Sequence, residues 1–437
     1  MNETIEKIRL AGIVGAGGAG FPAHVKFAAK AEIFIVNGAE CEPLLRVDQQ
    51  LMTLYAAEMI KGLRYGMQTS GALEGIIALK AKYKPAIAAL EPLLAPDMRI
   101  HILKDVYPAG DEVITIWMAT GRRVPPGKLP LDVGVMVSNV QTLINVARAV
   151  ESGLPVTHRT MTITGAVRQP VTITVPVGTS YQDAVAMSGG TTGKGISFVE
   201  GGPMMGHLVH DMETPVSKMT GALIALPDDN IVVRRHRTHM DSVLRIAKTT
   251  CEQCCLCTEL CPRHLIGHEL PPHLIVRSLN YNHMGSPSTL LSALTCSECA
   301  ICEAWACPVD ISPMRINQAL KAKMRAEGLH YEGELRPLDP MAEYRLVPSL
   351  RLIARLGIEA YNVPAPLVAE PLAPPQVKIP LKQHIGVPSK ALVDVGDRVA
   401  CGQLIGDIPE GSMGARIHAS IDGKVTEVTS EFVTIRA

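Results

Sequence analysis

Two cysteine runs constrain this chain more than any other feature. The first is Cys251-x2-Cys254-x2-Cys257-x3-Cys261-Pro262, and the second is Cys296-x2-Cys299-x2-Cys302-x4-Cys307-Pro308. Three thiolates on so tight a loop can grasp three corners of an iron–sulfur cube, but the loop cannot also reach the fourth. Zinc also takes C-x2-C pairs, yet a structural zinc site uses four ligands, usually as two pairs. Two runs of three, each with a distal Cys-Pro, favour two [4Fe–4S] clusters and hence electron transfer.

The first spacing is that of a bacterial ferredoxin run, in which the fourth cysteine serves the other cluster. By that analogy Cys251, Cys254, Cys257 and Cys307 hold one cluster. Cys296, Cys299, Cys302 and Cys261 hold the other. The second run carries one extra residue in its last gap, so Trp305 or Ala306 must bulge, or the next helix must start one position late. Cys255 is off the ligand register and is expected as a packed thiol. Cys41 and Cys401 are isolated and are expected to be buried and inert.

The remaining composition narrows the setting. The chain has 437 residues, a prior for about three domains. Lys+Arg and Asp+Glu balance at 42 each, so no general electrostatic handle for nucleic acid or an anionic membrane is present. No run of about 18 apolar residues is present to insert into a bilayer, and the first residues lack the apolar core of a secretory signal. A cytoplasmic location with reduced thiols is the expectation.

Along the chain, Ile33–Val36, Gly75–Leu79, Met98–Leu103 and Gly134–Val137 read as strands, and Leu51–Tyr65 as a helix. That alternation predicts an α/β domain over residues 1–155. Thr160–Gly165 and Val171–Pro176 are β-branched and turn-bounded, predicting a hairpin in a small β-rich domain over 156–230. Arg234-Arg235-His236-Arg237 reads as a solvated basic turn. Residues 245–330 hold the cysteine runs and a helix opened by Ser312-Pro313. Residues 331–380 are proline-rich, in part an extended linker. Residues 381–437 read as short strands around glycine turns.

Gly15-Ala16-Gly17-Gly18-Ala19-Gly20 is dense enough in glycine for its amides to approach a phosphate. No useful strand precedes it, so it is not a dinucleotide fingerprint. Its companions are Phe21-Pro22, Lys26, Asn37-Gly38-Ala39-Glu40-Cys41-Glu42-Pro43, Tyr107-Pro108-Ala109-Gly110-Asp111-Glu112 and Ser138-Asn139-Val140-Gln141-Thr142-Leu143. In this order they resemble the flavin-binding subunit of respiratory NADH dehydrogenase and the C subunit of the Rnf electron-transport complex. The resemblance implies that Gly15, Gly17, Gly18, Lys26, Asn37 and Asn139 bind FMN. It also implies that Glu40, Glu42 and Glu112 line the flavin and nicotinamide side, with NADH as the donor. The respiratory pattern has an aspartate where this chain has Ala39.

The same resemblance makes residues 156–230 a soluble-ligand-binding β-grasp (SLBB-like) domain, acting as a spacer. It makes 381–437 a barrel-sandwich hybrid of the lipoyl type. That unit is N-terminal in the Rnf protein, whereas here it is C-terminal. Pro409-Glu410-Gly411-Ser412-Met413-Gly414 offers no lysine for lipoylation. The implied fold class is therefore multidomain α/β and β: an FMN-binding α/β domain, a β-grasp domain, a helical ferredoxin-like 2[4Fe–4S] domain and a barrel-sandwich hybrid.

This domain order is similar to that of the cobalamin reductases of propanediol-utilising bacterial microcompartments. Cys261-Pro262-Arg263-His264-Leu265-Ile266-Gly267-His268-Glu269-Leu270, Leu294-Thr295-Cys296-Ser297-Glu298-Cys299, the longer gap before Cys307 and His418-Ala419-Ser420-Ile421-Asp422-Gly423 carry that likeness. It implies electrons passing from NADH through FMN and two clusters to cobalamin, from cob(III)alamin towards cob(I)alamin. It also implies an adenosyltransferase and a microcompartment shell protein as partners, with no nucleic acid and no membrane insertion. The other class of reading is a non-catalytic wiring subunit with a different acceptor.

Overall fold

Strands Ile33–Gly38, Glu74–Lys80, Met98–Leu103 and Val135–Asn139 form one parallel sheet. Their near-continuous apolar runs are what a sheet covered on both faces requires. Along the first strand Phe34 and Val36 pack with Leu63 and Leu143 of helices Ala56–Ser70 and Val140–Ser152. Ile33 and Ile35 point the other way, into a core with Ile114 and Ile116 of helix Glu112–Thr120. In this computed structural model residues 2–280, 286–369 and 372–437 are described.

In space the sheet runs Met98–Leu103, Glu74–Lys80, Ile33–Gly38, Val135–Asn139. The chain builds outward from the first strand in one direction, then returns to add the last strand on its other side. The strand order thus reverses between Ile33–Gly38 and Val135–Asn139, and ligands of open α/β sheets bind outside the carboxyl ends at such a point. The helical run expected over Leu51–Tyr65 is two helices, Val47–Leu54 and Ala56–Ser70, broken at Tyr55.

The second sheet orders its strands Val171–Pro176, His158–Gly165, Ala222–Pro227, Ile196–Glu200, His207–Leu208. Its first two form the expected antiparallel hairpin, while Ala222–Pro227 joins His158–Gly165 in parallel. Helix Tyr181–Ala186 packs on this sheet through Tyr181, Ala184 and Val185.

The cysteine region is helical, with Met240–Thr250, Pro272–Asn280 and Pro313–Ala326 sharing a core with Cys261, Cys296 and Cys307. Ser312 precedes that last helix as expected, but its side chain makes no capping hydrogen bond. The stretch 331–380, expected in part as linker, is tied down instead. Val347–Pro348 pairs with Val106–Tyr107, and helix Ser349–Arg355 buries Leu352 and Ile353. Farther on, the Val368 amide donates to the Thr172 carbonyl at 2.9 Å.

The C-terminal unit has two antiparallel sheets, Gln376–Pro380, Phe432–Arg436, Gly423–Val428, Arg398–Val399 and Lys390–Ala391, Leu404–Asp407, Ile417–His418. It packs against the glycine loop: the Ile385 amide donates to the Gly20 carbonyl at 3.1 Å. The buried Lys218 ammonium donates to the carbonyls of Gly12 at 2.7 Å and Arg416 at 2.8 Å, joining three units. Among the described residues no helix is long and apolar enough to cross a membrane.

Candidate functional site: a sheet-end cradle and two cysteine quartets

The glycine loop lies between Val14 and Pro22, which bridge, and the Gly15 amide donates to the Phe21 carbonyl at 2.9 Å. The Ala16 amide donates to the Thr142 hydroxyl at 2.9 Å, anchoring the loop to the helix after the last strand. Gly17, Gly18 and Ala19 stay exposed, and among the described residues their amides have no protein acceptor. A Cβ at Gly17 would stand 2.9 Å from the Asn139 Nδ2, so only glycine lets the loop lie this close to the sheet end. A cradle of open amides beside a lysine suits the phosphate of FMN.

Asn37 and Asn139 end the two strands that flank the reversal point. Asn37 Nδ2 donates to the Gly110 carbonyl at 2.8 Å. Asn139 caps its helix, accepting from the Gln141 amide at 2.9 Å, and donates to Asp48 Oδ2 at 2.9 Å. Lys26 and Glu112 form an ion pair at 2.8 Å, both partly exposed.

Two of the predicted acidic residues are engaged elsewhere. Glu40 accepts from the Asp48 amide and from Gln49 Nε2, each at 2.8 Å, and so holds the start of helix Val47–Leu54. Glu42 is enclosed under the Gly201–Gly206 loop of the β-grasp domain. The Met204 amide and the Tyr107 hydroxyl each donate to it at 3.1 Å. A Cβ at Gly202 would meet the Glu42 carboxylate, so a side chain there would require Glu42 to move. Burial pushes Glu42 up to about 7, against the pull of those hydrogen bonds.

Sequence reasoning missed Asp48 and Arg159. The buried Arg159 guanidinium donates to the Ala16 carbonyl at 2.9 Å, to Gln141 at 2.8 Å and to the Thr220 carbonyl at 2.7 Å. It thus fixes the glycine loop, the Asn139 helix and the β-grasp domain together. Neither residue lies in a recognisable motif: Asp48 acts on Asn139, far away in sequence, and Arg159 acts through contacts across domains.

The eight cysteines of the two runs gather around two cavities. Cys251, Cys254, Cys257 and Cys307 line one cavity. Cys261, Cys296, Cys299 and Cys302 line another. Four cysteines in ligand register around each hollow suit one [4Fe–4S] cube per quartet.

Both loops use one backbone device. Gln253 and Cys255 have φ of 54° and 64°, and Glu298 and Ala300, at the matching places, have φ of 61° and 60°. These left-handed residues let the chain curl around the cavity. The Glu298 amide donates to Cys296 Sγ at 3.4 Å, and the Ile311 amide to Cys307 Sγ at 3.3 Å. The extra residue before Cys307 is absorbed by a π-helical turn over Cys302–Ala306, the form that takes one added residue per turn. Cys255 occupies one of the left-handed positions, off the ligand register.

Asn317 is a further residue that sequence did not reveal. It is fully buried against the second cavity with its side chain beside the Cys296 sulfur, and neither Nδ2 nor Oδ1 makes a hydrogen bond of ordinary geometry. A poorly satisfied buried amide costs about 1–3 kcal/mol. A sulfur-rich group in the cavity would give its Nδ2 a further acceptor, so the lining fits a cluster.

The quartets differ in surroundings. Cys254 is exposed, and Cys251 and Cys257 are half-buried, whereas Cys261, Cys296, Cys299 and Cys302 are all buried. The buried quartet abuts the flavin-type domain. Cys299 and Ala300 share a core with Leu44 and Tyr107, and Arg263 pairs with Asp111 at 2.8 Å. Of the isolated thiols, Cys41, expected to be buried, is half-buried against Gly110, where desolvation raises it to about 12. Cys401, expected to be buried, is exposed at a turn of the C-terminal unit.

Comparison with known proteins agrees with this geometry. The Nuo51 FMN-binding domain matches residues 8–148, the SLBB domain 160–207, the 4Fe-4S dicluster domain 250–312 and the RnfC barrel sandwich hybrid domain 365–436. The cobalamin reductase PduS of Salmonella typhimurium is 56% identical over 434 residues, covering 99% of this chain and 96% of that protein. The chain belongs to the PduS cobalamin reductase family. The PduS protein of Citrobacter freundii is 55% identical, covering 98% of this chain and 95% of that one. The C subunit of the Na(+)-translocating ferredoxin:NAD(+) oxidoreductase complex of Acetobacterium woodii is 36% identical over 60% of this chain and 58% of its own length. A solved NAD+-reducing [NiFe]-hydrogenase shares the fold at 20% identity and a TM-score of 0.50, over 78% of this chain and 67% of that one. As a PduS-family flavin and iron–sulfur protein, the chain pairs an FMN domain with a dicluster domain.

Proposed function

We propose that this chain is a reductase that uses NADH to reduce cob(III)alamin towards cob(I)alamin, with FMN and two [4Fe–4S] clusters as its electron carriers. The junction between the sheet-end cradle and the buried quartet carries this reading. Arg263, next but one to Cys261, reaches Asp111 beside the predicted flavin residue Glu112. An electron leaving the cradle therefore meets packed protein rather than water.

In this reading the amides of Gly17 and Gly18 and the Lys26 ammonium hold the FMN phosphate. Gly15 gives the loop its turn, and Asn37 and Asn139 orient the flavin from the two strand ends. Glu112 sits beside Lys26 at the nicotinamide side. Glu40 and Glu42 support the site by holding the loops around it. Bound FMN supplies the conversion between two-electron and one-electron chemistry. Each cysteine quartet holds one cluster, which supplies one-electron transfer. The balance closes: NADH yields NAD+, a proton and two electrons, and cobalt takes up two on passing from Co(III) to Co(I).

The cobalamin acceptor follows the family name and the near-complete length match. An adenosyltransferase would consume the cob(I)alamin, and a microcompartment shell would enclose both enzymes with their shared cofactor. The test is anaerobic. NADH should bleach a bound flavin, and added hydroxocobalamin should then be reduced in a visible absorption change. Bleaching without cobalamin reduction would sink the acceptor. No bleaching would sink the reductase.

A further inference from the structure

One cavity of about 260 Å³ belongs to neither the flavin cradle nor the quartets. It lies where the β-grasp loop 203–207, helix Ile231–Arg237, the turn Cys302–Ala306 and helix Pro313–Ala326 meet. Its walls are of two kinds. Met204, Met205 and Met314 supply an apolar, adaptable surface. Arg235, His236 and Arg315 supply hydrogen-bond donors, and Glu303 supplies a carboxyl.

Glu303 is the telling residue. It is 6% exposed, and its Oε2 has no partner in the protein. Arg235 Nη2 reaches only the Glu303 backbone carbonyl, at 3.1 Å, and turns toward Asp310 at 3.5 Å. Glu303 lines the cavity, and an unpartnered carboxylate oxygen in its wall is an acceptor still to be satisfied by an N–H or O–H donor.

We propose that this cavity receives the carboxamide-bearing edge of the corrinoid. The inference rests on the acceptor assigned above and locates it. A primary carboxamide carries both functions the walls lack: its N–H₂ donates to Glu303, and its carbonyl accepts from the Arg315 or His236 side. The methionines suit the methyl-studded rim of a corrin ring. The volume admits peripheral side chains and leaves the ring at the mouth, beside the half-exposed Met205 and the exposed Gln318. Ala300 lines the cavity between Glu298 and the buried quartet, directly following Cys299, and Glu303 directly follows Cys302. A corrin seated there stands one residue from two ligands of the buried cluster.

Two rim substitutions, Gln318→Trp and Met205→Trp, test this by blocking the mouth. Iron, sulfide and flavin counts equal to the unmodified protein's establish that the variants fold. Hydroxocobalamin is the probe, titrated for its KM in NADH-driven reduction and for its equilibrium binding. The expected result is at least a tenfold rise in KM and in Kd for both variants. A third variant, Leu73→Trp, alters an exposed side chain of the flavin-type domain outside the cavity lining and should leave both constants within about twofold. Unchanged constants in both rim variants overturn the cavity assignment, as does an equal rise in Leu73→Trp. So does weak binding no different from that of a non-corrin amide, which would mean the cavity holds only water. Failure of the unmodified protein to reduce hydroxocobalamin is a separate result that removes the acceptor itself.

Discussion

The two cysteine loops are near copies set in unlike places. Each places left-handed residues two and four positions after its first cysteine, and each sends its fourth cysteine across to the other. One has Cys254 at the surface, and the other is enclosed by the flavin-type domain, the β-grasp loop and helix Pro313–Ala326. Cluster potentials respond to hydrogen bonds on sulfur and to solvent exposure. The loop therefore sets what is bound, and the surroundings set how it behaves.

The largest expected difference between the loops is structural. Cys299→Ser should lose about four of about eight irons and lower the melting temperature, because Cys299 also packs in the core shared with Tyr107. Cys254→Ser should lose as much iron with little change in melting. Equal melting losses in the two variants would erase the contrast.

Iron removal comes next. Under an anaerobic chelator, iron should leave in two phases, the exposed quartet first, followed by loss of absorption and by the EPR of the reduced protein. A single phase would mean that the clusters are not separately accessible.

Asn317 offers a finer cut. Asn317→Leu keeps the size of the side chain but removes the donor that faces the buried quartet. One of two midpoint potentials should fall, with the other unmoved, in an EPR-monitored redox titration. A tenfold change in the oxidised-to-reduced ratio corresponds to about 59 mV for one electron. Two unmoved potentials would leave that amide without a role.

The last contrast concerns Glu42, outside both loops. Its carboxyl rises from 4.5 to about 7 in the fold through burial, so the native state binds a proton the unfolded state has released. Stability contributed by that proton is present below the unfolded value and is lost as pH rises towards about 7. Glu42→Gln should flatten that slope by up to about 3 kcal/mol, read by denaturant melts at several pH values. An unchanged slope would assign the titration to another buried acid.

Much of this was legible in the chain. The cysteine spacing gave the quartets because ligand geometry acts over a few residues. The apolar strands read cleanly because burial on both faces leaves a strong local signal. What escaped depended on distant partners. Asn317 sits on an ordinary polar-looking helix, and nothing in its neighbours says that it faces a cavity. Glu40 and Glu42 lie in the flavin motif, but their partners, the start of helix Val47–Leu54 and the β-grasp loop, are not written in it. Proline in 331–380 suggested a tether, but strand pairing and buried leucines along it outweighed local stiffness.

Lys218 is a keystone for three units at once. The C-terminal unit rests on Gly12 and Gly20 of the domain that carries the glycine loop, and the Lys218 ammonium sits between the carbonyls of Gly12 and Arg416. A buried ammonium depends on those carbonyls for the solvation that water would otherwise give it. Pulling the C-terminal unit away would strand that charge, so the module acts as a brace that holds the glycine loop from behind.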